Sequence, residues 1–205
     1  MRKKEKQEKK NRAFIVFILV IFLVSSLGSV VIDFGGSGTD SFTLTSSSGE
    51  KYKFKAETDS AGNQYYLGSS GENKFISYYN PSQLSIDVSD TAKKILKESN
   101  IFYITFDPEQ NNLNILDYLR YDIEKNIVPS KLQINVITKE SLLYELPVIT
   151  CENATLNSPV IEFKNSNLTN ISVTTDYCIS AEFNSNTALQ VRDALVYMIN
   201  GLDIR

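Results

Sequence analysis

The sequence predicts an α+β or α/β fold, in which an N-terminal transmembrane helix precedes one mixed domain. Three features predict it. Residues 13–32 form an uncharged apolar run, residues 41–79 alternate between apolar and polar positions, and residues 101–138 follow the pattern strand, helix, strand. The domain therefore combines an antiparallel hairpin sheet with a strand–helix–strand unit, and a C-terminal helix closes it.

The apolar run, AFIVFILVIFLVSSLGSVVI, is long enough to cross a bilayer, because about 20 helical residues span a hydrocarbon core of about 30 Å. Residues 1–12 before it carry seven Lys or Arg and two Glu, and a basic flank stays in the cytoplasm. We expect a protein of the cell membrane that crosses it once. Its parts would be a basic cytoplasmic tail (1–12), a transmembrane signal-anchor (13–32), a flexible tether (33–40) and an extracellular domain (41–205).

Two other interpretations of the apolar run stay open. Ser26-Leu27-Gly28 suits a signal-peptide cleavage site, and Arg12-Ala13-Phe14-Ile15 looks like an archaeal prepilin cleavage site. A retained anchor is favoured over the first because apolar residues resume at 30–32. It is favoured over the second because the expected polar or acidic residue early in the helix is missing.

The first strands of the domain are predicted within residues 41–79. Lys51-Tyr52-Lys53-Phe54-Lys55 alternates strictly, which is typical of a half-buried strand. Residues 41–45 would pair with it across a Ser-Ser-Gly-Glu turn. Residues 64–67 and 74–79 predict a second hairpin, so this part of the chain is expected to form a small antiparallel sheet.

From residue 89 the pattern changes to alternating helices and strands. Asp90 is predicted to cap a helix over 91–98, and 141–146 to form a helical turn. The remaining predicted elements are a buried strand at 101–106, a helix at 113–126, strands at 132–138, 148–151, 159–164, 171–175 and 178–183 with a hairpin within 164–175, and a closing helix at 187–200 that ends at Gly201.

The charge of the chain argues against a nucleic-acid partner. The whole chain has 21 basic and 24 acidic residues, and without the tail 14 basic and 22 acidic residues remain, a net charge of −8. A nucleic-acid-binding domain would need a basic surface. The basic tail is typical of a topology signal next to a lipid bilayer, and it also suits anionic lipid head groups.

The two cysteines, Cys151 and Cys178, both follow the apolar run. An oxidising exterior favours a disulfide between them, and the chain-entropy model gives this bond about 3.5 kcal/mol of stabilisation. The alternative is a pair of buried free thiols.

The composition excludes most catalytic chemistry. The chain has no histidine, which removes Ser-His-Asp and Cys-His catalysis and His-based metal sites, and two cysteines cannot form a four-thiolate zinc site. We expect no metal and no cofactor. The candidate catalytic groups are the carboxylates Asp107 and Glu109, because Asp107 follows a buried strand at the edge where open α/β sheets bind ligands. Asp107-Pro108 is first of all typical of a turn that leads into a helix, and this interpretation is favoured over a functional one.

Three Asn-x-Ser/Thr sequons begin at Asn153, Asn167 and Asn170. Their number matches the chance expectation for a chain this rich in Asn, Ser and Thr, so the number itself carries no information. All three lie in predicted turns of an exported domain, which makes them candidate glycosylation sites.

Several blocks occur in a defined order: IFYITFDPE at 101–109, TCENAT at 150–155, PVIEFK at 159–164, then the second cysteine and a terminal helix. This order resembles that of uncharacterised small membrane-anchored proteins of archaea with reduced genomes. The resemblance implies an exported α/β domain with paired cysteines. The proteins of that set have no assigned activity, so the resemblance implies no substrate.

Two hypotheses of function remain. The first is a membrane-anchored cell-envelope protein whose extracellular domain binds a protein or glycan partner. The second is a membrane-anchored hydrolase or transferase that uses carboxylates alone, with Asp107 as the leading group. The absence of histidine and of a nucleophile motif favours the first.

Overall fold

The structure, a computed structural model, describes residues 41–204. The predicted tail, anchor and tether at 1–40 lie outside the described residues. Within 41–204 the fold is mixed α+β, with an antiparallel four-stranded sheet, a mixed six-stranded sheet and three α-helices. No helix in this part of the chain is long and apolar enough to span a membrane.

The elements follow one another closely along the chain. The strands are β1 Ser41–Thr45, β2 Lys51–Thr58, β3 Gln64–Ser70, β4 Asn73–Ser77, β5 Asp87–Val88, β6 Ile101–Phe106, β7 Leu132–Asn135, β8 Val160–Asn165, β9 Asn170–Thr175 and β10 Cys178–Phe183. The helices are α1 Asp90–Glu98, α2 Leu113–Lys125 and α3 Ala188–Ile199, with short 3₁₀ helices at Pro81–Gln83 and Cys151–Asn153.

The first sheet has the order β1-β2-β3-β4 with antiparallel neighbours, which confirms the predicted hairpin sheet. Strict alternation turns Tyr52 and Phe54 towards the core and leaves the lysines of β2 exposed. Gly68 on β3 faces the Phe75 ring so closely that a Cβ there would overlap it. The inner face of this sheet is therefore closely packed.

The second sheet has the order β5-β9-β10-β8-β6-β7. Strands β10, β8, β6 and β7 are parallel, whereas β9 runs antiparallel to β10. Helix α2 connects β6 to β7, which confirms the predicted strand–helix–strand unit. Buried side chains such as Phe102, Ile104 and Phe163 form one face of this sheet and belong to the main core.

Helix α3 is buried on all sides between the two sheets. All of its residues except Leu189 and Gln190 are buried. The Tyr197 ring packs edge-on against Phe54 and Phe75 of the first sheet, with ring centroids 5.9 and 6.0 Å apart. A helix with apolar residues on all of its faces takes such a central position, and α3 fits this pattern apart from its few polar residues.

Residues 147–158, which we call the strap, connect β7 to β8 across the other face of the second sheet. In the sheet β7 lies on one side of β6 and β8 lies on the other, so the chain moves one way across the sheet from β6 to β7 and the opposite way from β7 to β8. Crossovers between parallel strands are right-handed, and two right-handed crossovers in opposite directions pass over opposite faces of the sheet. Helix α2 takes one face and the strap takes the other. Thr105 on β6 donates a hydrogen bond of 2.8 Å to the Ile149 carbonyl of the strap.

Some local predictions are wrong. Ser89, not Asp90, caps α1, because the Ser89 hydroxyl accepts from the Ala92 N–H at 3.2 Å. Residues 164–175 do not form a hairpin, because β10 lies between β8 and β9. Residues 148–151 form one bridge, Ile137 to Val148, and then enter a 3₁₀ helix, and 141–146 form bends instead of a helical turn.

Candidate functional site

The predicted carboxylates Asp107 and Glu109 lie together just beyond the end of β6, on either side of Lys139. Lys139 Nζ lies 3.1 Å from Asp107 Oδ1 and 2.6 Å from Glu109 Oε2. Asp107 Oδ1 also accepts the Glu109 backbone N–H at 2.8 Å, the geometry of an Asx-turn. This N–H and the Lys139 ammonium lower the pKa of Asp107. A general acid needs the opposite shift, so the geometry favours the turn interpretation.

Gln110 connects the turn after Asp107 to the end of β8. Its Nε2 donates to the Phe163 carbonyl at 3.1 Å, and its Oε1 accepts from the Asn165 N–H at 3.0 Å. The two carboxylates remain 48% and 77% exposed. Burial would be needed to raise a carboxylate pKa for acid–base work, and these positions do not provide it.

Cys151 and Cys178 are at disulfide-bonding distance, with Cα atoms 5.2 Å apart, as the sequence predicts. Cys151 lies on the strap and Cys178 begins β10, so the bond fastens the strap across the sheet. The two residues are separated by 27 positions. The strap cannot swing away from the sheet while this bond is intact.

A carboxylate lies beside the disulfide. Glu162 Oε2 is 3.4 Å from the Cys151 sulfur and 2.9 Å from Lys164 Nζ. One Glu162 oxygen and the two sulfurs lie within 4.8 Å of one another, a spacing that a metal ion would accept. Both sulfurs belong to the disulfide, however, and a metal needs thiolates. We therefore interpret Glu162 as part of an ion pair on the sheet face.

A groove of about 320 Å³ lies between α1, the β9–β10 turn and the tip of the strap. Ile95 and Val173 contribute apolar surface to it, and Leu156 of the strap is 57% exposed beside it. The rest of the lining is charged, polar or aromatic: Lys94, Glu98, Asp176, Thr91, Ser99 and Tyr177. A second cavity of about 430 Å³ shares Glu98, Ser99 and Leu156 with this groove, so the two are adjacent. We call the pair the strap groove.

The walls of the strap groove are held by specific contacts. Lys131 Nζ donates to the last carbonyls of the α1 region, those of Leu96, Lys97 and Ser99, at 2.6, 2.9 and 2.8 Å. A cation at a helix C-terminus also complements the helix dipole. Burial lowers the pKa of Lys131 to about 8. Together with the disulfide in the strap, this contact fixes the shape of the groove.

The three sequons have different surroundings. Asn153 on the strap and Asn167 in the β8–β9 connection are exposed. Asn170 instead begins β9, between Asp87 and Glu182 of the neighbouring strands. The prediction of a turn at Asn170 is therefore wrong, and a sheet position is a poor acceptor for a glycan because the side chain is only partly accessible.

Sequence reasoning missed a buried ion pair in the middle of α3. Arg192 and Asp193 are both wholly buried, and Arg192 Nη1 lies 2.7 Å from Asp193 Oδ1. Asp193 Oδ2 accepts the backbone N–H groups of Tyr78 and Tyr79, each at 2.7 Å. Burial raises the pKa of Asp193, and the Arg192 charge opposes this shift. The signal was present in the sequence, since two adjacent charges interrupt an otherwise apolar helix.

Arg192 also reaches α2 and β4. Its Nε lies 2.6 Å from Asp122 Oδ2, and its Nη1 donates to the Ile76 carbonyl at 2.6 Å. The ion pair therefore connects the central helix to the first sheet and to α2. It lies far inside the protein, which indicates a structural role.

Comparisons with protein-family models, curated proteins and solved structures give no match. The resemblance to membrane-anchored archaeal proteins therefore stays a prediction.

Proposed function

We propose that the chain is a membrane-anchored cell-envelope protein whose extracellular domain binds a partner, a protein or a glycan, through the strap groove. The observation that carries the proposal is the groove itself, which combines an apolar lining, a charged rim and fixed walls. The exposed Leu156 side chain of the groove suits a protein segment, and the Tyr177 ring with the polar side chains beside it suits a glycan.

Support for anchoring and export comes from two independent features. The apolar run 13–32 and the basic residues before it are typical of an anchor with a cytoplasmic N-terminus. The cysteine pair Cys151–Cys178 suits an oxidising compartment, because disulfides are rare in reducing ones.

Support for binding comes from the chemistry of the groove lining. Leu156 and Ile101 are large apolar side chains that stay exposed at the second cavity of the strap groove. Exposed apolar surface with a polar rim is characteristic of protein interaction sites. The disulfide and the Lys131 contacts order the walls before binding, which reduces the entropy lost on association.

The carboxylate-only enzyme receives less support. Its leading group, Asp107, has a lowered pKa and shares Lys139 with Glu109. A general acid needs a raised pKa, and the shift of Asp107 is in the other direction.

Site-specific photo-crosslinking in native membranes tests the proposal. A photoreactive phenylalanine analogue replaces Leu156 in one variant and Leu168 in another, because both leucines are exposed to similar extents, 57% and 60%, and only Leu156 lines the groove. We expect position 156 to give one defined adduct that position 168 does not give. An adduct sensitive to glycosidases would identify a glycan as the partner. Equal crosslinking at both positions, or none at 156, would contradict the groove as the binding site.

A further inference from the structure

The outer face of the first sheet is basic. On β2, Lys51, Lys53 and Lys55 alternate with buried aromatic residues, and all three are exposed. Lys74 on β4 lies in the same row as Lys53, because Ser69 of β3 pairs with both. We call these four residues the lysine face.

One carboxylate lies on the strands of the lysine face. Glu57 of β2 pairs with Lys55 Nζ and accepts from the Tyr65 hydroxyl, each at 2.9 Å, so Lys51, Lys53 and Lys74 are the lysines of this face that no strand carboxylate engages. The other carboxylates of this part of the chain lie in the turns at the ends of the strands: Glu50, Asp59 and Glu72. Beyond the basic tail the chain carries a net charge of −8, with these four lysines included. The lysine face is thus a row of basic side chains along the strands of an acidic domain, a pattern that suits an anionic partner.

Apolar side chains lie between the lysines. Leu67 on β3 pairs with Lys55 on one side and with Ile76 on the other, and both apolar residues point outwards. Ile76 is 39% exposed. A surface that combines lysines with aliphatic side chains is typical of proteins that lie at a lipid interface.

The position of the lysine face along the chain brings it close to the predicted anchor. Ser41 begins β1 and pairs with Lys55. Residues 33–40 separate it from the end of the apolar run, and eight extended residues reach at most about 28 Å. For an anchored chain, this length sets an upper limit on the distance of Ser41 from the end of the apolar run.

We propose that the lysine face rests on the anionic lipid head groups of the membrane that anchors the chain. This inference depends on the proposed anchoring and adds a second, electrostatic contact with the same membrane. The strap groove lies between α1, the β9–β10 turn and the strap, and none of the four lysines lines it. Docking through the first sheet therefore leaves the groove available to a partner.

The test measures lysine acetylation in the full chain inserted into vesicles. One set of vesicles contains phosphatidylcholine alone, and the other contains phosphatidylcholine with phosphatidylglycerol. A membrane-impermeant acetylating reagent and peptide mass mapping give the labelling rate of each lysine. We expect the four lysines to react about fivefold more slowly on the anionic vesicles. The attraction of one lysine to an anionic lipid surface is about 1 kcal/mol, which corresponds to this factor. Lys94 and Lys125 on the helices serve as internal controls and should not change.

Salt and charge variants sharpen the test. In about 1 M salt the Debye length falls to about 3 Å, and the protection should disappear. Replacing Lys51, Lys53 and Lys55 by Gln should abolish the protection of Lys74. The matched control replaces three lysines outside the first sheet and the strap groove by Gln and should preserve it: Lys93, Lys125 and Lys164.

Three outcomes would overturn the inference or its basis. Equal labelling of the lysine face on both vesicle types means that anionic lipids do not bind it. Protection on neutral vesicles and in detergent as well means that a second copy of the chain covers it. Release of the chain from vesicles by alkaline carbonate would instead show that the anchoring fails, which separates the two proposals.

Discussion

Replacing Asp193 by Asn should destabilise the domain strongly, although the side chain keeps its shape. In the structure Asp193 Oδ2 accepts two backbone N–H groups, and Oδ1 faces the Arg192 guanidinium at 2.7 Å. An Asn carbonyl can keep the first two hydrogen bonds. Its amide nitrogen must then face Arg192, which places two donors against each other in a site without water access.

The size of the effect follows from these contacts. The lost hydrogen bond involves a charged group and is worth about 1.5–3 kcal/mol. Breaking a buried ion pair costs about 3–5 kcal/mol in total, because one charge is left without its partner. Arg192 keeps its contacts with Asp122 and the Ile76 carbonyl, so we expect the low end of this range, about 3 kcal/mol.

Urea unfolding followed by the near-ultraviolet circular dichroism of tyrosine measures this loss, with the m-value checked for constancy. The matched control is Asp117→Asn. Asp117 also pairs with an arginine, Arg120, at 2.8 Å, but its side chain is 43% exposed, so the change should cost less than about 1 kcal/mol. If Asp193→Asn loses no more stability than the control, the buried pair does not stabilise the fold as we argue.

Three further predictions concern other parts of the domain. Replacing Cys151 and Cys178 by Ser should lower the free energy of unfolding by about 3.5 kcal/mol, and equal stability of the reduced and oxidised forms in urea would refute this. Gly68→Ala should cost about 1–3 kcal/mol in the same assay because its Cβ would overlap the Phe75 ring, and a neutral result would mean that the ring moves freely. The hydrogen bond from Ser47 in the β1–β2 turn lowers the pKa of Asp203. The ionised carboxylate therefore stabilises the fold above its ordinary pKa of 3.8, and this contribution is lost as the pH falls through the lowered pKa. Asp203→Asn should remove this part of the acid sensitivity, and an unchanged stability-versus-pH curve would contradict it.

Local patterns predicted the elements whose neighbours lie close in the sequence. The alternation at 51–55 identified β2, and the dense apolar run Ile101–Phe106 identified β6 with its observed bounds. Pairing between distant strands was not predictable in this way. Strand β10 inserts between β8 and β9. Contacts across the whole sheet determine its parallel pairing with β8, and the sequence of the segment between β8 and β9 does not reveal it.

The candidate site was predicted in part. The cysteine pair was expected from the compartment and was confirmed as a contact. Asp107 and Glu109 do lie together, but the ion pair with Lys139 comes from a loop about 30 residues away, a distance over which spacing rules do not apply. The strap groove combines α1, a β-turn and the strap, so only the fold brings its lining together.

Protease shaving of intact cells, followed by peptide mapping without reduction, tests the account most directly. If the domain is exported and anchored, a non-specific protease added outside should release the chain from about residue 41 onwards, with Cys151 and Cys178 in one cross-linked peptide. A domain that stays protected in intact cells, with both thiols free, would contradict the topology, the disulfide and the proposed envelope function together.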